Sequence, residues 1–295
     1  MCQKNGAWPV PFFILLALLL ATLTGCSTIR LGYGQADSIA AWMADDYFDL
    51  DSRQKDEFLT RFEHLYEWHR YEQLPEYASF LTAAKNRLQN GLKHEDVIWF
   101  AEGVKTRYRL IVSRGAENAA DILATLAPAQ LDALQRQWDK DNRKFIREHR
   151  LDDTYQEQQR AQAKRMLSRI RDWVGSLTYE QEQTIIALCD KLPLTDRLRY
   201  EDRLRRQGEF LRLLELRGNP SEFAPRLRHW LLNWEEGRAL EYERRYAVWW
   251  EKRVQFLLEA NRMLTPGQRA RVLHRLQDYV DDFHALARRS QTATR

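Results

Sequence analysis

Acidic side chains cluster in the segment "MADDYFDLD", which contains Asp45, Asp46, Asp49 and Asp51. Asp45 and Asp49 are four residues apart and would share one face of a helix. One interpretation is a divalent-cation site, or a carboxylate pair for acid–base catalysis. A calcium loop of the EF-hand type needs alternating oxygen ligands, a central Gly and a terminal Glu, and the segment lacks that register. The alternative is a solvated helix end in which Asp51 caps the next helix.

The seven histidines are scattered singly along the chain. His64 and His69 are five residues apart, so on a helix they would point about 140° away from each other. The chain contains no His-Glu-x-x-His pattern, Ser nucleophile elbow, phosphate-binding loop or Cys-x-x-Cys pair. We therefore expect a protein that is not an enzyme and that has no metal site.

Aromatic residues are concentrated in "RHWLLNWEEGRALEYERRYAVWWEKRVQF", and the chain has ten tryptophans. One interpretation is a groove for a lipid, a polypeptide or a glycan, because aromatic side chains with Arg make binding hot spots. The alternative is core packing between long helices. The candidate partner-binding residues are Trp230, Trp234, Tyr242, Tyr246, Trp249, Trp250 and Arg245.

The N-terminus reads as a leader. The apolar run from Phe12 to Ala21 is ten residues long, whereas a membrane-spanning helix needs about 20. Lys4 precedes the run, and small or weakly polar residues follow it. This order is typical of a secretory signal peptide, which we assign to residues 1–25.

The end of the leader, Leu23-Thr24-Gly25-Cys26, resembles the lipobox of bacterial lipoproteins. The resemblance implies cleavage between Gly25 and Cys26, a diacylglycerol on the Cys26 thiol and an N-acyl chain on its new amino group. More than one acyl chain gives stable attachment to a bilayer. Ser27 stands where Asp often retains lipoproteins in the inner membrane, so the resemblance implies the periplasmic face of the outer membrane.

Cysteine content and charge exclude two further classes of function. Cys2 leaves with the leader and Cys26 takes the lipid, so Cys189 has no partner for an intramolecular disulfide. It is either a functional thiol, reactive in itself or bridged to another molecule, or a small core residue. The formal net charge of +4 is too small to indicate nucleic-acid binding.

Helix-forming residues with a 3.6-residue apolar period fill the rest of the chain, as in Phe58, Phe62, Leu65 and Trp68. No alternating pattern of strand length is present. We predict an all-α multi-helix bundle of long amphipathic helices over residues 37–295, joined to the lipid by a tether at residues 26–36. Candidate helix breaks are Pro75, Gly91, Gly115, Gly175, Pro193 and Gly218-Asn219-Pro220.

Four helix starts share the pattern Leu-x-x-x-Gln: "LDSRQ", "LAPAQ", "LTYEQ" and "LTPGQ". Asp51, Thr178 and Thr265 can cap the first free amides, and the Gln three residues later can reach back, as in a capping box. Ala127, in the second copy, cannot cap through its side chain. A shift of 138 residues aligns the second copy with the fourth, which suggests two related helical halves, about 37–150 and 151–295. The alternative is that helix starts simply look alike.

Two resemblances follow from these motifs. The Leu-Thr-x-x-Gln copies at Leu177 and Leu264 resemble those of small periplasmic stress chaperones of the Spy and CpxP type. The order lipobox, "LGYGQAD" and "AAWMADDYFDLDSRQ" resembles a proteobacterial family of lipoproteins of unknown function, the DUF6279 type. The second resemblance covers the whole mature chain and implies a helical body without implying an activity.

The leading hypothesis is a lipid-anchored, non-catalytic adapter that binds an envelope protein and has no cofactor beyond its covalent lipid. The second hypothesis is a membrane-tethered chaperone for unfolded clients. The third is an enzyme acting on envelope polymers, which would require Asp45, Asp49 and a histidine to meet in a deep pocket.

Replacing Cys26 with Ala should abolish metabolic labelling of the protein with palmitate, because the acyl chains need the thiol and the amino group released beside it. Labelling is measured on the immunoprecipitated protein, with Cys189→Ala as the matched control. Labelling that survives in the Cys26→Ala variant would contradict the lipobox assignment.

Overall fold

The computed structural model describes residues 27–288, and all regular elements in that range are helical. The predicted all-α multi-helix bundle is confirmed. The predicted leader, its cleavage site and Cys26 lie outside the described residues. The α-helices are α1 (Ser27–Gly34), α2 (Ala36–Phe48), α3 (Ser52–Trp68), α4 (Leu74–Gln89), α5 (His94–Ala124), α6 (Pro128–His149), α7 (Tyr155–Val174), α8 (Tyr179–Asp190), α9 (Asp196–Glu215), α10 (Pro220–Leu232), α11 (Leu240–Arg262) and α12 (Pro266–Ala287).

Three apolar cores hold the helices together. The first joins α1, α4 and α12, with Leu74 and Phe283 among its buried residues. The second joins α2, α3, α5, α6, α9 and α10 around Leu134 and Phe223. The third joins α7, α8 and α11. Because the first two cores contain helices from before and after residue 150, the two predicted halves do not form separate bodies.

Part of the predicted tether is a helix in the structure. Residues 27–34 form α1, because Ile29 and Tyr33 lie four residues apart and both bury against the first core. Arg30 fixes the helix to α12 through an ion pair, with 2.6 Å between its Nε and an oxygen of the buried Asp282. Within the described residues, α1 is therefore packed as part of the helical body, and its first residue, Ser27, follows the predicted lipid-bearing residue.

Two predicted breaks are wrong. Pro75 interrupts nothing, because a π-helical turn at His69–Gln73 joins α3 to α4 and the Leu74 N–H donates to the His69 carbonyl. This wider turn accommodates Pro75, which has no backbone N–H to donate to the preceding turn. Gly115 lies inside α5, where Leu65 of α3 packs against it at a distance that leaves little room for a Cβ.

The π-turn holds a buried histidine. The hydroxyl of Tyr33 lies 2.8 Å from Nδ1 of His69, and the ring of Tyr77 meets His69 edge-on at 5.2 Å between centroids. Burial away from water disfavours the imidazolium and lowers the pKa of His69 to about 4. His69 is therefore neutral when the protein is folded at neutral pH.

Acidification from pH 6.5 to 4 should destabilise the folded chain through His69. In this window His69 takes up a proton in the unfolded state but stays neutral in the folded state. The free energy of unfolding therefore decreases as the pH decreases, by about 3 kcal/mol for this group. The His69→Gln variant should lack this component, as measured by urea unfolding across the window. His64→Gln, an exposed change on α3, is the control. An unchanged pH slope in His69→Gln would contradict the assignment.

Candidate functional site

Two of the four Leu-x-x-x-Gln helix starts meet in the second core through Gln54 and Gln130. The two side-chain amides exchange hydrogen bonds: Gln130 donates to Gln54 at 2.7 Å, and Gln54 donates to Gln130 at 3.2 Å. Each Oε1 also accepts the backbone N–H of its own helix cap, from Asp51 at 3.0 Å and from Ala127 at 2.9 Å. Both side chains are buried.

The same two glutamines also reach across to the other start. Gln54 donates to the carbonyl of Thr125, which ends α5, and Gln130 donates to the carbonyl of Asp49, which ends α2. Each side chain thus satisfies a donor at its own helix start and an acceptor at the end of the helix preceding the other start. The second copy, which has no capping side chain at Ala127, is held in this way by Gln130.

Gln181 and Gln268 repeat the arrangement at the other two starts. Their amides exchange hydrogen bonds of 2.9 Å in both directions, and they donate to the carbonyls of Met263 and Ser176 respectively. The capping boxes predicted at Asp51, Thr178 and Thr265 are present. The first copy therefore pairs with the second, and the third with the fourth.

The helix order around the two junctions is also alike. In each, a helix pair joined by a short link meets a second such pair: α2–α3 meets α5–α6, and α7–α8 meets α11–α12. The helices α6 and α12 that begin at the second and fourth copies both have 22 residues. The connections between the pairs differ, because one helix (α4) separates the first two pairs and two helices (α9 and α10) separate the second two. The duplication itself stays a prediction.

The predicted partner-binding aromatic residues lie in two places: Trp230 and Trp234 lie near the second core, and the others lie on α11. Trp230 belongs to the edge of the second core, where its Nε1–H donates to Glu209 and the Arg206 guanidinium lies 3.5 Å above its ring. Trp234 packs edge-on against Tyr108 with 4.9 Å between ring centroids. These two tryptophans are half-buried, and their contacts favour the packing interpretation.

The remaining candidates lie on α11. Tyr242 is buried, Tyr246 stacks on Trp249 at 5.4 Å between centroids, and the Arg238 guanidinium lies 5.0 Å from the Tyr242 ring. Trp249 and Trp250 are half-buried. Arg245 points to solvent and pairs with Glu241 at 2.8 Å. The inner side of α11 is therefore aromatic, and its outer side is polar with exposed apolar residues.

The outer side of α11 carries a stripe at four-residue spacing: Leu240, Arg244 and Val248. Leu240 is 61% exposed and Val248 is 54% exposed. Of the 23 residues of α11, Tyr242, Val254 and Phe256 are buried. We call Leu240, Arg244, Arg245 and Val248 the outer α11 face. Its side chains could meet a partner without unfolding any of the cores.

The acidic cluster has structural partners. Asp45 pairs with Lys55 at 2.8 Å, Asp46 accepts from Gln137, and Asp51 caps α3. Asp49 adopts a left-handed conformation at the end of α2. Among residues 27–288, no group of three or more His, Cys, Asp or Glu side chains is placed to hold a metal ion.

Cys189 is buried in the third core. Burial raises the pKa of its thiol to about 11, so the reactive thiolate is scarce at neutral pH. Of the two interpretations of this residue, the structure therefore favours the core residue.

Residues 46–243 match the model of DUF6279, a family of unknown function, and this region is about two thirds of the chain. The chain belongs to the DUF6279 family. No curated protein and no solved structure matches it. The matched region of this DUF6279 protein contains three of the four helix starts and ends before Leu264. No helix within residues 27–288 combines the length and apolar character needed to cross a membrane.

The capping-box pattern predicts a bond from each Gln to its own helix start, but it does not predict the exchange of hydrogen bonds between two glutamines. The sequence signal for this exchange is the recurrence of Gln at the same position of four helix starts. Glu could complete a capping box equally well, so capping alone does not explain why all four are Gln. A carboxylate could not donate to the opposite carbonyl, whereas an amide both accepts and donates. The need for this double role explains why Gln stands at all four positions.

In this DUF6279 protein, Gln54→Ala and Gln130→Ala should each lower the free energy of unfolding by about 2 kcal/mol or more, because buried backbone groups lose their partners. The double variant should lose at least about 1 kcal/mol less than the sum of the two. Urea unfolding of the four proteins measures this coupling.

Gln137→Ala is the matched control, because its side chain bonds to Asp46 in an exposed position, and its effect should stay within about 0.5 kcal/mol. Strict additivity of Gln54→Ala and Gln130→Ala would show that the two side chains do not act as a unit.

Proposed function

We propose that this protein is a non-catalytic adapter, anchored by lipid on Cys26 to the periplasmic face of the outer membrane, that binds an envelope protein through the outer α11 face. The observation that supports binding is this face itself. Exposed Leu240 and Val248 stand beside exposed Arg244 and Arg245 on a helix that the cores hold from the other side. Apolar side chains next to arginine are the composition of interface hot spots.

The N-terminal helices support the anchored part of the proposal. A lipid on Cys26 would adjoin α1, which is docked on the first core, so the body would be held close to the bilayer. Leu31 is 68% exposed, and Trp42 is 64% exposed on α2 with Ile39 one turn before it. Exposed tryptophan and aliphatic side chains suit the membrane–water interface. We propose that these side chains contact the bilayer and orient the protein.

A second candidate is a tethered chaperone for unfolded clients. The observation that favours it is the spread of exposed apolar side chains over several helices: Leu110 on α5, Tyr155 on α7, Tyr179 on α8 and Leu204 on α9. Dispersed contacts of this kind suit many weakly bound clients better than one partner. The Leu-x-x-x-Gln motifs add nothing to this candidate, because the two junctions account for them.

Co-purification tests the adapter. A C-terminally tagged full-length chain, extracted gently from the envelope, should bring down one protein at near-stoichiometric yield by quantitative mass spectrometry. Replacing both Leu240 and Val248 with Glu should reduce that yield about tenfold or more, because the change places charges at the centre of the contact.

Tyr179→Glu, at a 73% exposed position of α8, is the matched surface control, and Cys26→Ala is the unanchored control. A broad set of sub-stoichiometric unfolded proteins, insensitive to the α11 changes, would favour the chaperone. A partner whose yield is unaffected by the Leu240 and Val248 changes would remove the outer α11 face from the proposal.

A further inference from the structure

Arginines from three helices converge where α7, α9 and α11 meet. Arg165 of α7 and Arg199 of α9 both bind the carboxylate of Asp196, at 3.0 Å and 2.8 Å. Arg169 lies one turn after Arg165 on α7 and so shares its face. Arg253 of α11 approaches Arg169, because one of its guanidinium nitrogens contacts the sulfur of Met166, which lies one turn before Arg169 on α7.

The charges of this group are out of balance. Asp196 is already held by two arginines, and His149 lies 2.8 Å from it. These neighbours, acting against the effect of burial, keep the pKa of Asp196 at about 2, so it is ionised at neutral pH. Within residues 27–288, neither Arg169 nor Arg253 has a carboxylate at ion-pair distance.

The surroundings of Arg253 make that imbalance costly. Its guanidinium lies 5.0 Å from the ring of Phe256 and against Met166, so its neighbours are apolar. Burial and the nearby charge of Arg169 lower the pKa of Arg253 to about 10, which still leaves it cationic at neutral pH. A half-buried cation without a counter-ion destabilises a protein unless something else neutralises it.

The group is open to a ligand. Arg169 is exposed and Arg253 is half-buried. None of the nitrogens of Arg253 is both buried and without a partner, so its remaining donors reach the surface. A planar guanidinium presents paired N–H donors that match the oxygens of a phosphate group.

We propose that Arg169 and Arg253, with Arg199 behind them, form a binding site for a phosphate-bearing ligand at the junction of α7, α9 and α11. Two guanidinium groups bind the phosphate oxygens, and the anion supplies the counter-charge that the chain does not. This site lies on the inner side of α11, so it is independent of the outer α11 face.

Titration of the full-length chain in detergent with inorganic phosphate tests the site. Phosphate should raise the midpoint of thermal unfolding above that in chloride at equal ionic strength. Arg169→Gln and Arg253→Gln should each weaken phosphate binding about tenfold or more, the loss of a charge-assisted hydrogen bond. Arg262→Gln, an exposed residue of α11 that pairs with Glu259, should bind like the wild type.

A second readout separates binding from a structural role. Without phosphate, Arg253→Met should unfold at a higher temperature than the wild type, because the unpaired cation is gone. A structural role predicts the reverse. Phosphate that stabilises no more than chloride, or binding unchanged in Arg169→Gln and Arg253→Gln, would overturn the proposal.

Vesicles distinguish the source of the phosphate. Sedimentation of the unanchored Cys26→Ala chain should be stronger with phosphatidylglycerol vesicles than with phosphatidylcholine vesicles. Loss of that difference when Arg169→Gln is added supports the site and identifies a lipid head group. Binding of inorganic phosphate without vesicle binding at this site supports it with a soluble phosphate ester as the ligand.

Discussion

The structure depends on a requirement of helix starts: their first backbone N–H groups have no partner within the helix. Here four helix starts meet in pairs, and each Gln side chain accepts a backbone N–H of its own start. The same side chain donates to a carbonyl at the end of the helix that precedes the other start. A glutamine amide that accepts on one side and donates on the other makes the two starts of each pair one polar unit, which lies within the second core for Gln54 and Gln130 and nearer the surface for Gln181 and Gln268. Such a unit tolerates little displacement, because a shift of either helix leaves several buried groups without partners. The register of α3 against α6, and of α8 against α12, follows from it.

Long-range packing then joins the two junctions. α12 begins at the second junction and runs along α4, so the C-terminal helix completes the core that also buries α1. α10 lies along α5, which ends at the first junction. Aromatic and arginine side chains fill the spaces between these layers: guanidinium groups lie over Trp230 and over the Tyr242 and Tyr246 rings. Trp230 and Trp234 thus serve mainly in packing, whereas Trp42 is exposed, and the outer α11 face and the arginine junction remain at the surface of α11.

Local features of this fold could be predicted from the sequence, and features that depend on distant contacts could not. The caps at Asp51, Thr178 and Thr265 are local, and they form as the residue types indicate. The exchange between Gln54 and Gln130 joins residues far apart in the chain, so no local pattern could specify it. Pro75 was wrong as a break because a π-helical turn precedes it and the helix continues. Residues 27–34 of the predicted tether form a helix because Ile29 and Tyr33 are buried in the first core, a contact with distant residues that the local sequence does not indicate. Whether an aromatic residue of this segment is packed or exposed depends on residues of other helices, such as Arg206 over Trp230 and Tyr108 against Trp234.

Residue-resolved hydrogen exchange of the full-length chain tests the paired helix starts most directly. The amides of Asp51 and Ala127 sit at N-cap positions, which in ordinary helices exchange quickly. Thr154 is an internal reference, because its amide binds the side chain of Glu157 in an exposed capping box with no opposite glutamine. The account predicts that Asp51 and Ala127 exchange orders of magnitude more slowly than Thr154, at rates approaching those set by global unfolding. Exchange at Asp51 and Ala127 as fast as at Thr154 would contradict it.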